Sequence, residues 1–174
     1  MGNLVLRYNK VAFYGVPGTS GGDPTYTRMH GFTDMSESKN VTTYDRKYVD
    51  RKSNDVDVTG YAPSISFSFD QMTDDNVSKD VADIIDNEKI GNDAVRSVVV
   101  VDFTQTVTGG GFKAYKRDWS IVGDSVGSGT DAFIYSGTFN SKSEPIWGKA
   151  VVATPTGGDN ESAETITFTA DSGE

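Results

Sequence analysis

The chain has no cysteine, one histidine and only two leucines in 174 residues. Without thiols it holds no disulfide framework, no thiolate zinc site and no cysteine nucleophile, and a cytosolic origin fits best. Any Ser-His-Asp arrangement would depend on His30, and no Gly-x-Ser-x-Gly elbow is present to offer it a serine. His30 reads as a strand-end surface residue or a satisfied core histidine. No window reaches the ~18 consecutive apolar residues of a membrane span, and Met1 to Leu6 is neither charged nor long enough to begin a signal peptide. Positive charge is also scarce. Sixteen Lys and Arg face 25 Asp and Glu, a formal net charge of minus 9, which lacks the basic footprint of a nucleic-acid binder.

What is abundant is β-branched. Val and Ile number 27 against the two leucines, with 18 Thr beside them, and such stiff side chains suit a pleated surface better than a helical core. Ile65, Phe67 and Phe69 alternate with polar residues, as do Ile166, Phe168 and Ala170, so each set predicts a strand with one face inward. The run from Val98 to Phe103 does not alternate and predicts a central strand covered on both faces. Val77, Val81, Ile84 and Ile85 fall at helical spacing and predict a helix at about 75–90, with acid and capping groups at Asp74 to Asn76 and a stop at Lys89 and Gly91. Glycine clusters at 16–22, 109–111, 123–129 and 156–159 read as turns. Between them strands are expected near 4–15, 26–36, 58–70, 96–107, 112–123, 131–140, 146–153 and 163–170. No repeat or composition shift marks a second domain, so residues 1–174 read as one.

The chemistry-bearing motifs fail one by one. Asp55-Val-Asp57-Val-Thr59-Gly60 begins like a calcium loop, but its twelfth position is Ser66 and its continuation alternates as a strand. Gly109-Gly110-Gly111-Phe112-Lys113 lacks phosphate-loop spacing. With 25 acids, chance carboxylate pairs carry no signal for glycoside hydrolysis. No catalytic, cofactor-binding or metal-ligating residue is assigned. Trp119 and Trp147 are expected to pack in the core.

One stretch resists a plain structural reading. From Ser36 to Asp57 there is no strong apolar period, yet Tyr44, Tyr48 and Val49 are interleaved with Asp45, Arg46, Lys47, Asp50, Arg51 and Lys52. Loops this long are uncommon in compact domains unless functional or disordered. Anchors mixed with balanced charges suit a contact ordered by a neighbour, and the alternative is a solvated loop or a hairpin of the same domain.

The order of several segments then becomes recognisable. Lys10-Val-Ala-Phe-Tyr-Gly-Val-Pro, Arg28-Met-His-Gly-Phe-Thr, Tyr48-Val-Asp-Arg-Lys and Asp57-Val-Thr-Gly-Tyr-Ala-Pro-Ser-Ile come first. Asp86-Asn-Glu-Lys-Ile-Gly-Asn-Asp-Ala-Val-Arg, Ser136-Gly-Thr-Phe-Asn and Pro145-Ile-Trp-Gly follow. In this order the chain resembles the major tail, or tail tube, proteins of tailed bacteriophages, particularly those of Gram-positive hosts. The resemblance implies a mainly β fold, a β-sandwich or partly rolled β-barrel with one flanking α-helix and a long extended loop at about 37–57. It also implies self-association into hexameric rings stacked as a hollow tube, contacts with other tail proteins, and DNA passing through an acidic lumen without specific binding. The place implied is the virion tail, after synthesis in the host cytoplasm. The positions matching the family's inter-ring loop run from about Lys39 to Asp57 and add Lys39 and Asn40 to the residues above. A competing expectation is a monomeric β-sandwich module of a virion or tail-like particle, contacting carbohydrate or a receptor through an exposed aromatic platform.

Overall fold

A computed structural model describes residues 2–153 and 164–171. The strands are β1 (Lys10–Val16), β2 (Thr25–Arg28), β3 (Phe32–Ser38), β4 (Val41–Arg46), β5 (Asp55–Tyr61) and β6 (Ser64–Asp70). After α1 (Asn76–Asp86) come β7 (Val95–Thr106), β8 (Phe112–Val126), β9 (Ile134–Ser141), β10 (Ile146–Val152) and β11 (Thr165–Ala170). The expected β class holds. Of the two β architectures expected, the structure forms the barrel and closes it fully: β10, β11, β2, β1, β7 and β8 follow one another, and β8 pairs back with β10. Every pairing is antiparallel. Beyond β8 the sheet continues as a wing of β9, β6 and β3.

Two apolar clusters follow from this layout. Phe13, Val99, Val101, Ala114, Ala150 and Ile166 fill the barrel, as a small barrel's inward side chains must. On the opposite face of β1 and β7, Tyr14 and Val98 join Phe67, Phe69, Phe139 and Trp119, and α1 adds Val77, Val81 and Ile84. The run Val98 to Val101 therefore serves both clusters, which explains its lack of alternation. Each such side chain contributes about 2 kcal/mol by leaving water. Among the described residues no helix is long and apolar enough to cross a membrane.

The local chemistry moves several expected boundaries. Residues 4–6 are not strand. Asn9 accepts from the Leu6 amide at 2.8 Å and its own amide donates to the Leu6 carbonyl at 3.0 Å, tightening Arg7–Asn9 into a 3-10 turn before β1. The strand expected at 26–36 breaks at Gly31, with φ +72°, so that β2 stays in the barrel and β3 crosses to the far edge of the sheet. The strand expected at 58–70 breaks at Ala62-Pro63, where proline cannot donate to a ladder.

The helix starts where expected. The Asp75 carboxylate accepts from the amides of Val77 at 3.1 Å and Ser78 at 3.0 Å. Its end comes four residues early, because Glu88 enters the left-handed region at φ +48° and the amides of Glu88 and Lys89 bond back to the carbonyls of Ile85 and Ile84. Gly123 belongs to β8, not to a turn: a side chain there would run into Ile85 at 2.7 Å, so its bareness lets the helix lie close. The glycines at 157 and 158 lie outside the described residues.

Candidate assembly interface

The stretch expected as an extended loop, with a hairpin of the same domain as the alternative, is a β-hairpin. β4 and β5 form a two-stranded sheet of their own, with Val41 opposite Tyr61 at the root and Arg46 opposite Asp55 at the far end. A bulge at Thr42 and Thr43 increases its twist. Every residue of β4 is exposed, and on β5 so are Val56, Val58 and Tyr61. A lone two-stranded ribbon is marginal in water, and one that leaves valines and tyrosines bare on both faces resembles half of an interface.

Lys39 and Asn40 belong to the root. Lys39 donates to Glu37 at 2.5 Å. Asn40 takes φ +45° and its amide donates to the Ala62 carbonyl at 3.0 Å and the Ser64 hydroxyl at 2.9 Å, so this residue fixes the angle at which the hairpin leaves the sheet. Tyr44, Asp45 and Arg46 lie on β4. Lys47, Tyr48, Val49, Asp50, Arg51 and Lys52 make the tip, whose turn is closed by the Arg51 amide on the Tyr48 carbonyl.

Sequence reading did not foresee how this group is organised. The Arg46 guanidinium donates to the hydroxyls of Tyr44 at 3.0 Å and Tyr48 at 3.1 Å, and lies 4.8 Å and 5.7 Å from their ring centres. Those two hydroxyls hold the Arg46 pKa above its ordinary value. Arg51 also lies over the Tyr48 ring, at 5.7 Å, and pairs with Asp55 at 2.9 Å. The tip is thus a stacked unit of two tyrosines and two arginines, with fully exposed Val49 and exposed Asp50 at its apex.

No protein-family model matches the sequence, and no curated protein matches it. Solved structures do. A chain from the tail of an empty GTA particle, refined helically with C6 symmetry, is similar over 82% of this chain and 97% of its own, with TM-score 0.54 and 15% identity. A chain from the sixfold-symmetrised baseplate of the anti-feeding prophage is similar over 84% of this chain and 97% of its own, with TM-score 0.50 and 10% identity. The fold is that of tail-particle proteins. At such identities the likeness is one of backbone arrangement, and the surface chemistry has to be read from this chain's own residues.

A second exposed surface overturns one expectation. Trp119 is buried as predicted, 2% exposed, but Trp147 is 50% exposed. The reason is register: Trp147 pairs with Tyr115 on the outward face of the barrel, past the reach of α1. Its ring lies 5.2 Å from Tyr115 and 5.1 Å from the Lys113 ammonium. Burial, then the Glu37 carboxylate, push the Tyr115 hydroxyl up to about 12. Two residues further along the same face, Arg117 occupies the point where β8 leaves β10, its partner through Lys116, and takes up β9, its partner from Trp119. No motif marks this fork, since it arises from one long strand changing partners. His30 is a surface residue whose ring meets Glu164 at 2.8 Å.

Proposed function

We propose that this chain is a structural brick of a phage-type tail, of the major tail protein kind, whose copies close into hexameric rings and stack into a hollow tube that conducts DNA. The β4–β5 hairpin is the arm that reaches the adjacent ring. The observation that carries this reading is the hairpin itself: it pairs with no other strand among the described residues and exposes Val41, Tyr44, Val56, Val58 and Tyr61 together. Fold likeness to chains of two sixfold assemblies supports it, as does a net charge of minus 9, since an acidic wall repels a passing phosphate backbone. In this reading residues 1–174 act as one unit, made in the cytoplasm of a Gram-positive host and built into the virion tail with other tail proteins.

Negative-stain microscopy of the purified chain at rising concentration tests the reading. Rings about six subunits around, or tubes of them, are expected; particles that stay monomeric at every concentration and ionic strength refute it.

The half-exposed Trp147 favours a second reading, a monomeric module that contacts carbohydrate through an aromatic platform. Glycan binding by a stable monomer, lost in Trp147→Ala, would establish it in place of the first.

A further inference from the structure

The fork at Arg117 is an open cleft of about 630 Å³ at the root of the hairpin, walled by Tyr61, Pro63 and Pro145, with Lys39 and Glu144 among its other lining residues. Arg117 is half-buried in it. Its guanidinium lies 5.6 Å from the Trp119 ring, its Nε is shut off from solvent, and that Nε has no hydrogen-bond partner among the described residues. Glu144 lines the same cleft but makes no ion pair with it. A buried guanidinium donor without an acceptor is costly, and such groups in native proteins call for a partner.

The surface leading away from the cleft has the same character. Lys113 stands directly opposite Lys149 across β8 and β10, a like-charge pairing that costs stability in a sheet. Trp147 and Tyr115 lie beside them. On a chain of net charge minus 9, this face gathers arginine, tryptophan and tyrosine, the residues in which binding energy concentrates. Its chemistry fits an apolar side chain next to a carboxylate.

The hairpin tip presents that pair. Val49 is fully exposed, and its neighbour Asp50 has no ion-pair partner among the described residues. It cannot reach its own fork, because five steps of extended ladder hold it about 17 Å from the root. We propose that the Arg117 fork receives the hairpin tip of a second copy of this chain, with Val49 against the Tyr61 and Pro145 wall and Asp50 on the Arg117 guanidinium. Tip and fork are different surfaces of one chain, so the contact is head-to-tail, each copy giving one and taking one, and it propagates into rings or filaments. A nucleic acid is the poorer occupant. Only Arg117, Lys113 and Lys149 on this face are free of an ion pair among the described residues, too few phosphate contacts to hold DNA against physiological salt.

This proposal rests on the arm reading, and the experiment separates the two. Sedimentation velocity over a concentration series is run on the full chain, on Arg117→Glu, on Asp50→Arg, on their equimolar mixture, and on a variant with Lys47–Asn54 replaced by Asn-Gly. Each single charge reversal is expected to weaken association at least about tenfold with an unchanged circular dichroism spectrum. The mixture is expected to recover, because every contact in an alternating array is then matched. Should Arg117→Glu fail to fold, Asp50→Arg, at an exposed position, and the double variant carry the test.

A shortened hairpin that associates like the full chain removes the arm and the docking together. A shortened hairpin that stays monomeric while Arg117→Glu associates normally keeps the arm and overturns the fork. Single variants that lose association with no recovery on mixing overturn the Asp50–Arg117 pairing. Retention of a DNA duplex by the full chain, lost in Arg117→Glu while association is unchanged, makes the face a nucleic-acid site and likewise overturns the proposal.

Discussion

Asp80 of α1 holds Arg96 of β7 through two bonds, 2.8 Å to Nε and 3.1 Å to a terminal nitrogen, while Tyr14 of β1 donates its hydroxyl to the same carboxylate at 2.5 Å. One carboxylate thus pins the helix to two barrel strands. Burial, then the Asp80 charge, push the Tyr14 hydroxyl up, so it stays a donor; burial works against the Arg96 charge, but the Asp80 bonds together with its acidic neighbours outweigh it and hold the guanidinium charged. Asp80→Ala leaves the half-buried Arg96 cation without its carboxylate, though the Asp93 and Val95 carbonyls still accept from it, and leaves the buried Tyr14 hydroxyl without its acceptor. It is expected to cost about 2 kcal/mol, seen as a lower urea midpoint at an unchanged slope.

Tyr135 donates to Asp86 at 2.9 Å, and burial together with that carboxylate raises its pKa from 10.0 to about 12. The folded state therefore holds this proton more tightly than the unfolded state. Its contribution is complete below pH 10 and is lost as pH rises through 12. Urea midpoints from pH 8 to pH 12 are expected to fall less steeply for Tyr135→Phe than for the unchanged protein.

The helix stop places a glutamate where glycine fits better. Glu88 holds φ +48°, and a side chain in that region strains the backbone. Glu88→Gly is expected to stabilise the fold by about 1 kcal/mol, read as a higher melting temperature.

Gly137 faces Gly123 across β8 and β9 with no room to spare. A Cβ would meet the Val122 carbonyl at 2.2 Å and the Phe67 ring at 2.8 Å. Because the first obstacle is backbone, Gly137→Ala is expected to cost about 2 kcal/mol in chemical denaturation.

How much of this was legible depends on whether the cause lay nearby in the chain. The stripe Val77, Val81 and Ile84 and the alternation of Ile65, Phe67 and Phe69 express local periods, the Val98–Val101 run shows the local lack of one, and each stands where expected. Barrel closure was not legible, since the β8–β10 register joins segments some thirty residues apart. The tip was visible as tyrosines among balanced charges. Its hairpin stood only as an alternative to the extended loop, because Asp55 to Val58 alternate with valines turned outward, reversing the usual inference from alternation to core. Trp147 misled because residue type predicts burial only on average, and the register opposite Tyr115 turns this ring outward. Arg117 carried no signal, because its role comes from a strand changing partners and not from its neighbours in sequence.

The hairpin bears the account's central claim, and replacing Lys47–Asn54 with Asn-Gly, a turn that suits the Arg46 and Asp55 strand ends, tests it most directly. Electron micrographs of this variant beside the full chain at equal high concentration are the measurement. The account predicts rings or tubes from the full chain, and from the variant a folded, unassembled protein whose melting temperature is nearly unchanged. Identical tubes from both, or isolated particles from both, would contradict it.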